Sequence, residues 1–116
     1  LYEHSEEGDV SCLGLIPGQV TMLPSTPGAP SPNMGWCKLD VLRAHPLFEG
    51  VRSGDYAYFV HSYASAVDDN AIALARSGQS FAAAVARGNV NGCQFHPERS
   101  GAVGARILAN FLALPC

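Results

Sequence analysis

Residues 81–112 read FAAAVARGNVNGCQFHPERSGAVGARILANFL, and this stretch decides the fold. Two short apolar runs, Phe81 to Arg87 and Val90 to His96, are separated only by Gly88-Asn89, a dipeptide suited to a tight reversal. Ser100 then stands where it can cap a helix. The apolar positions of that helix fall on one face: Val103, Ile107, Leu108, Phe111 and Leu112. A hairpin followed by a helix predicts an α/β or α+β chain.

The chain before residue 81 carries shorter signals. Gln19 to Leu23 predicts a strand, and Asp55 to His61, rich in tyrosine, phenylalanine and valine, predicts another. Leu1 to His4 has the character of a helix end, and Asp40 to Gly50 has a short helical pattern interrupted by a turn. Ser25 to Asn33 contains three prolines and is expected to be an exposed loop.

Size and composition indicate one modest globular domain or a piece of one. The chain has 116 residues, of which 47% are hydrophobic and 15% charged. A net charge of −3 with seven lysines and arginines gives no basic surface for phosphates, so nucleic acid is not an expected partner. No apolar run approaches the roughly 20 residues that cross a bilayer, and no signal-peptide pattern is present. We therefore expect no membrane association and a cytoplasmic protein.

The cysteines do not form a metal-binding pattern. Cys12, Cys37, Cys93 and Cys116 include no C-x-x-C pair and no histidine at ligand spacing, so zinc is not expected. Because nothing indicates secretion, all four are expected to be reduced and mostly buried thiols. The sequence gives no sign of a cofactor.

The segment Gln94-Phe95-His96-Pro97-Glu98 carries the clearest chemistry. In extended backbone, residues two apart point to one side, so His96 and Glu98 can meet with Pro97 holding the chain between them. The carboxylate would fix the imidazole tautomer and stabilise the imidazolium, leaving the other ring nitrogen to exchange a proton with a nucleophile. The structural alternative is a hydrogen-bonded histidine at a strand end, followed by an acid that suits the start of a helix.

Q-F-H-P-E resembles the triad motif of the class I glutamine amidotransferases. Four further segments follow in the order typical of one branch of that family, the glutaminase subunits of imidazole glycerol phosphate synthase. They are G-L-I-P-G-Q-V at 14–20, M-G-W at 34–36, Y-F-V-H-S-Y at 58–63 and H-P-E-R-S-G at 96–101. The resemblance covers nearly the whole chain, and the joint order of the segments makes it specific.

The resemblance implies an α/β fold of the doubly wound, flavodoxin-like kind, truncated at the N-terminus. Residues 1–116 would be the C-terminal part of a single amidotransferase domain. The family's cysteine nucleophile lies on a G-x-C-x-G elbow, which would fall about six residues before Leu1 and outside this chain. The implied enzyme hydrolyses glutamine to glutamate and ammonia, and the ammonia passes to the synthase (cyclase) subunit for histidine biosynthesis.

The resemblance also assigns roles to individual residues. His96 would shuttle protons and Glu98 would orient it. Ser62 and Tyr63 would hold the backbone of glutamine, and Glu7 would contact its amino group. The positions expected to face the synthase subunit are Trp36, Tyr58 and Arg99. Asn33 and Cys37 depart from the usual histidine and asparagine that flank M-G-W, which puts local detail of that interface in doubt.

Structural alternatives exist for each of these assignments. Ser62 and Tyr63 could be a polar strand end with a packed aromatic ring, and Glu7 a solvated charge. Trp36 could belong to the core, while Tyr58 and Arg99 could occupy a strand face and a solvated helix start.

Cys12 is the one cysteine whose surroundings resemble half of a nucleophile elbow. Val10 occupies the position where the tight turn needs glycine, and Pro17-Gly18 would break the helix that must follow. We therefore predict a structural role for Cys12. Two rival functions remain: another class I amidotransferase, in anthranilate, guanylate or pyridoxal phosphate synthesis, or a non-catalytic binding fragment.

Overall fold

Short strands are the most frequent elements in the computed structural model, which describes residues 1–115. The strands are β1 His4–Ser5, β2 Val10–Ser11, β3 Gln19–Met22, β4 Asn33–Lys38, β5 Asp40–Val41, β6 Tyr56–His61, β7 Tyr63–Ser65, β8 Ala71–Ser77, β9 Gln79–Arg87 and β10 Val90–Cys93. Single 3-10 turns occur at Pro46–Phe48 and Pro97–Arg99, and one helix, α1, covers Gly101–Ala113. The chain is therefore mixed α/β.

The strands form three small sheets. Their orders are β2-β1-β3-β7, β10-β9-β8-β5 and β4-β6. Among the described residues only β1 and β3 pair in parallel, and every other strand pair is antiparallel. The expected doubly wound parallel sheet is thus represented by a single parallel pair in residues 1–115.

The hairpin predicted around Gly88-Asn89 is confirmed. Val90 pairs with Arg87, and Gly88 has a φ of 59°, a left-handed conformation that glycine adopts without strain. Residues 81–86 of β9 are all buried, which explains their uninterrupted apolar character. The second strand ends at Cys93, earlier than the predicted His96, so the segment from Gln94 leaves the sheet toward α1.

Aromatic rings fill the centre of the main core. Phe59 makes edge contacts with Phe81 at 5.5 Å and Phe95 at 5.6 Å between ring centroids. Ile107 of α1 is buried in the same cluster. Burial of these large side chains is the main contribution that holds β6, β9 and α1 together.

The helix predicted after Ser100 is present as α1, but its apolar face is only partly covered. Ile107 is buried and Val103 half-buried, whereas Leu108, Phe111 and Leu112 are exposed, the last at 83%. The shared face therefore packs on the core at Val103 and Ile107 and leaves the other three side chains uncovered. No helix among residues 1–115 combines the length and apolar character needed to cross a membrane.

Two further local predictions need correction. Leu1 to His4 is not helical, because its backbone pairs with the following loop: the Gly14 amide donates to the Tyr2 carbonyl at 2.8 Å, and the Glu3 amide donates to Gly18 at 3.0 Å. Residues 40–50 form strand β5 and one 3-10 turn where a short helix was expected.

The structure also differs in part from the predictions made for the loop at Ser25 to Asn33 and for the cysteines. Residues 25–32 are outside the named strands, but Asn33 is buried and begins β4. Cys12 is exposed and Cys37 is half-buried, while Cys93 is exposed as a residue but has a partly buried sulfur. The prediction of mostly buried thiols is therefore wrong for Cys12; Cys116 lies outside the described residues.

Gly104 allows α1 to lie directly on the turn at Pro97. A β-carbon at position 104 would overlap the Pro97 carbonyl group. We expect Gly104→Ala to lower the free energy of unfolding by an amount at the upper end of about 1–3 kcal/mol, although the same change in a free helix gains about 1 kcal/mol. Gly28→Ala, in open space, is the matched control and should be neutral or slightly stabilising. Equal denaturation midpoints for the two variants would contradict this packing.

Candidate active site

His96 and Glu98 meet as their spacing predicts. The backbone of His96 is extended, with φ −99° and ψ 100°, and its Nδ1 lies 3.0 Å from Glu98 Oε1. Because the carboxylate accepts this hydrogen bond, Nδ1 carries the proton and Nε2 presents its lone pair. Within residues 1–115 Nε2 has no hydrogen-bond partner, and the side chains are 45% and 62% exposed. The pair is a carboxylate-oriented base whose free nitrogen can be reached from outside.

The backbone of His96 is held by strand β6. Its amide donates to the Tyr58 carbonyl at 2.9 Å. The buried Ser100 hydroxyl donates to the His96 carbonyl at 2.7 Å and accepts from the Tyr58 amide at 2.9 Å. Ser100 is the first residue before α1, as predicted, but its side chain makes no capping bond. Its hydroxyl instead ties the histidine to the sheet, a role that sequence analysis missed.

Ser62 and Tyr63 lie where β6 passes into β7. Both are half-buried, and the Ser62 carbonyl accepts from the Leu23 amide at 2.8 Å. Tyr63 pairs with Met22 of β3. The segment is therefore fixed on two sides, and it follows the same strand that anchors His96.

Glu7 is exposed in the turn between β1 and β2. That turn belongs to the sheet that also contains Tyr63, but strand β3 lies between β1 and the β7 strand of Tyr63. Among the described residues the Glu7 side chain makes no hydrogen bond or ion pair, so the structure does not join it to Ser62, Tyr63 or His96.

Trp36, Tyr58 and Arg99 form one continuous row. The Trp36 and Tyr58 rings meet edge to face at 5.8 Å, and the Arg99 guanidinium lies over the Tyr58 ring at 5.4 Å from its centroid. Trp36 is 54% exposed, which removes the alternative that it belongs to the core. The neighbouring outward pair, Met34 and Val60, is also exposed. An apolar surface edged by an arginine thus lies next to the candidate site.

Asn33 and Cys37 point to the other side of β4. Asn33 is buried and its Nδ2 lies 3.1 Å from Nε2 of His61. Cys37 is half-buried, with its sulfur 3.8 Å from Asn33 Oδ1. The two departures from the expected pattern therefore face the interior and leave the outer face of M-G-W unchanged.

Neither Cys93 nor Cys12 has the environment of a nucleophile. Protein atoms around the Cys93 sulfur desolvate its thiolate, and the charge of Glu98 adds to that effect, so the Cys93 pKa is raised to about 11. Cys12 is exposed directly after β2, where no helix follows. Within residues 1–115 no three histidine, cysteine or acidic side chains are grouped as a metal site.

The chain belongs to the class-I glutamine amidotransferase family, whose model matches residues 17–114. Its relatives agree with the branch that the motifs resemble. Over 98% of this chain it is 54% identical to the imidazole glycerol phosphate synthase subunit HisH of Xylella fastidiosa strain Temecula1. It is 48% identical, over the same share, to subunit HisH 2 of Legionella pneumophila strain Lens, and 50% identical, over 90%, to subunit HisH of Vibrio cholerae.

The chain spans little more than half the length of these relatives. It covers 57% of the Xylella and Legionella proteins and 51% of the Vibrio protein. The comparisons thus show the family of this chain, while the activity of a whole subunit is a matter for proposal.

The raised pKa of Cys93 has a direct chemical consequence. At neutral pH the Cys93 thiol should be almost fully protonated and should react with iodoacetamide much more slowly than exposed Cys12, its rate rising only as the pH approaches 11. Glu98→Gln removes the nearby charge and should increase the Cys93 rate, while Glu7→Gln serves as a distant carboxylate control. Peptide mass spectrometry measures both sites. Equal labelling of Cys12 and Cys93 at neutral pH would show that the thiolate is not disfavoured.

Proposed function

We propose that this chain is the C-terminal part of the glutaminase subunit of an imidazole glycerol phosphate synthase. The observation that carries the proposal is the bond between His96 Nδ1 and Glu98 Oε1, which leaves Nε2 free beside an exposed surface. The names of the relatives support this particular subunit over other amidotransferases. The activity is hydrolysis of glutamine to glutamate and ammonia, within histidine biosynthesis in the cytoplasm.

In this proposal His96 moves the protons of the reaction. Its Nε2 takes the proton of a cysteine thiol supplied by the part of the domain outside residues 1–116, and the thiolate attacks the side-chain amide carbon of glutamine. The imidazolium then gives the proton to the departing nitrogen, the C–N bond breaks and ammonia leaves. Nε2 then takes a proton from water, the resulting hydroxide adds to the thioester carbon, and the C–S bond breaks to release glutamate. The imidazolium returns its proton to the cysteine thiolate, which restores the starting state. Glu98 keeps Nδ1 protonated throughout and stabilises the imidazolium.

The fold proposed for the longer protein is flavodoxin-like. Residues 1–116 would form the C-terminal part of one domain, and the remaining strands would extend the sheet system that here contains the parallel pair β1–β3. The lengths of the relatives support this division, since each is almost twice as long as the segment matched here.

Glutamine would bind at the junction of β6 and β7. Ser62 and Tyr63 would hold its backbone groups there, since both lie at the end of the strand that anchors His96. Glu7 would contact the substrate amino group, a role that favours a carboxylate on charge alone. No cofactor or metal has a part in this chemistry.

The exposed row of Trp36, Tyr58 and Arg99 would receive the synthase subunit in a heterodimer. Aromatic residues and arginine are the types that dominate binding energy at protein interfaces. The row is also connected to the candidate site, because Tyr58 carries the backbone bond to His96 and Arg99 directly follows Glu98. Ammonia formed next to this surface would have a short path to the partner.

Activity of the full-length subunit with its synthase partner tests the catalytic proposal. His96→Ala should lower kcat for glutamate release by about 10²–10⁴-fold, because it removes the proton shuttle. Glu98→Ala should lower it less, since only orientation and imidazolium stabilisation are lost. His4→Ala, at a half-buried histidine paired with Asp9, is the matched control.

Both site variants should still bind the partner, which separates catalysis from folding. A wild-type complex that binds the synthase subunit but releases no glutamate would favour the non-catalytic binding alternative. Unchanged turnover in Glu98→Ala would show that its bond to His96 is only structural.

The partner surface has its own test. Trp36→Ala should weaken binding of the synthase subunit by roughly 2 kcal/mol, about thirtyfold in Kd, because an exposed aromatic anchor is removed. Leu112→Ala is the control: it removes an even more exposed apolar side chain from a different cleft, which His45 and Phe111 also line. Calorimetric titration measures both. Equal loss of affinity in the two variants would exclude the Trp36 row as the specific contact.

A further inference from the structure

A chain of polar side chains lies inside the core behind the candidate active site. The Cys37 thiol is 3.8 Å from Asn33 Oδ1, Asn33 Nδ2 is 3.1 Å from His61 Nε2, and His61 Nδ1 is 3.0 Å from the Tyr63 carbonyl oxygen. Asn33 and His61 are both buried. We call Cys37, Asn33 and His61 the inner relay.

The directions of the two hydrogen bonds made by His61 are fixed by the Tyr63 carbonyl. A carbonyl oxygen only accepts, so His61 Nδ1 donates to Tyr63. Nε2 then accepts from one hydrogen of the Asn33 amide. The Cys37 sulfur lies 3.8 Å from both Oδ1 and Nδ2 of Asn33, so it completes the network as a donor to the first or an acceptor from the second. His61 is therefore neutral, with its proton on Nδ1. Burial, the dominant cause, lowers the pKa of His61; the bond to the Tyr63 carbonyl opposes this, and a positive charge on His96 would add to it, so the net shift is downward and favours the neutral form.

The ring of His61 has a polar role in a place where an apolar ring would fit. It packs against Phe81 at 4.8 Å and Phe59 at 5.6 Å between centroids. A phenylalanine could occupy such a site without the cost of burying two nitrogen atoms. What only the histidine supplies is the bond from Nδ1 to Tyr63, which spans Ser62 and closes the junction between β6 and β7.

That junction is the segment proposed to bind glutamine. We propose that His61 is a positioning residue: the inner relay holds its Nδ1 proton on the Tyr63 carbonyl and thereby fixes Ser62 and Tyr63 for the substrate backbone. The inference rests on the proposed function. Its effect is on binding, because the backbone of His96 is held separately through Tyr58 and Ser100.

Two substitutions separate the bond from the packing. In His61→Asn the side-chain amide nitrogen can lie where Nδ1 was and can still donate to Tyr63. In His61→Gln the amide reaches the former position of Nε2 and the bond to Tyr63 is lost. Both remove the aromatic ring, so they are matched in lost packing. In the full-length subunit with its synthase partner, His61→Gln should raise KM for glutamine by about three- to tenfold, the value of one hydrogen bond, with kcat nearly unchanged. His61→Asn should keep KM close to that of the wild type.

A KM that rises equally in both variants, or a fall in kcat at constant KM, would overturn the inference. If His61→Gln does not fold, Asn33→Leu replaces it, since it removes the donor to Nε2 at similar volume and should raise KM in the same direction; an unchanged KM there would count against the relay.

The tautomer provides a readout that does not need activity. Nitrogen NMR of the imidazole in the full-length protein should show His61 protonated on Nδ1 only, and the amide signals of Ser62 and Tyr63 should move in His61→Gln but little in His61→Asn. A proton on Nε2, or equal movement in both variants, overturns the inference. A wild-type complex without glutaminase activity but with these NMR results would refute the proposed function while leaving the positioning of the junction intact.

Discussion

The hydroxyl of Ser100 joins the turn that contains His96 to strand β6. Among residues 1–115 it is the one side chain that bonds to both His96 and Tyr58, donating to the carbonyl of the first and accepting from the amide of the second. Without this bridge the H-P-E turn would be attached to the sheet by a single backbone bond. Since Ser100 is almost fully buried, neither of its partners would find water as a replacement. The orientation of the His96–Glu98 pair therefore depends on a residue that takes no part in the proposed chemistry.

Strand β6 serves three purposes because successive side chains along a strand point to opposite faces of the sheet. Its outward side chains include Tyr58 and Val60 on the exposed surface, while Phe59 and His61 point into the core. The backbone carbonyl at position 58 holds His96 in the plane of the sheet. Neighbouring residues of β6 thus contribute to the exposed surface, to the backbone bond that holds His96, and to the inner relay. A shift of β6 would move all three together.

What the sequence predicts well here is what short-range geometry determines. The meeting of His96 and Glu98 needs only extended backbone over three residues, and the hairpin needs only Gly88 between two apolar runs. The contacts it does not predict join distant positions: Asn33 and His61 are 28 residues apart, and Tyr58 and Ser100 are 42 apart. A buried asparagine or serine has no periodic signal, because any polar residue can be satisfied by a partner from elsewhere in the chain.

The errors have a related cause. The spacing of Leu108, Phe111 and Leu112 states only that they share one side of α1, and it does not state whether another element covers that side. Residues 1–4 contain good helix formers, yet their amides and carbonyls pair with the loop at 12–18, and tertiary pairing overrides weak propensity.

The position of Trp36 gives the protein a built-in optical probe. It is the only tryptophan in the chain, it is more than half exposed, and it lies between the Tyr58 ring and open solvent. An indole in that setting emits at long wavelength because water relaxes around its excited state. Anything that covers the row should shift the emission to the blue and protect it from quenchers such as acrylamide. Association at this surface can therefore be followed in real time, with no label attached and no second indole in this chain to obscure the signal.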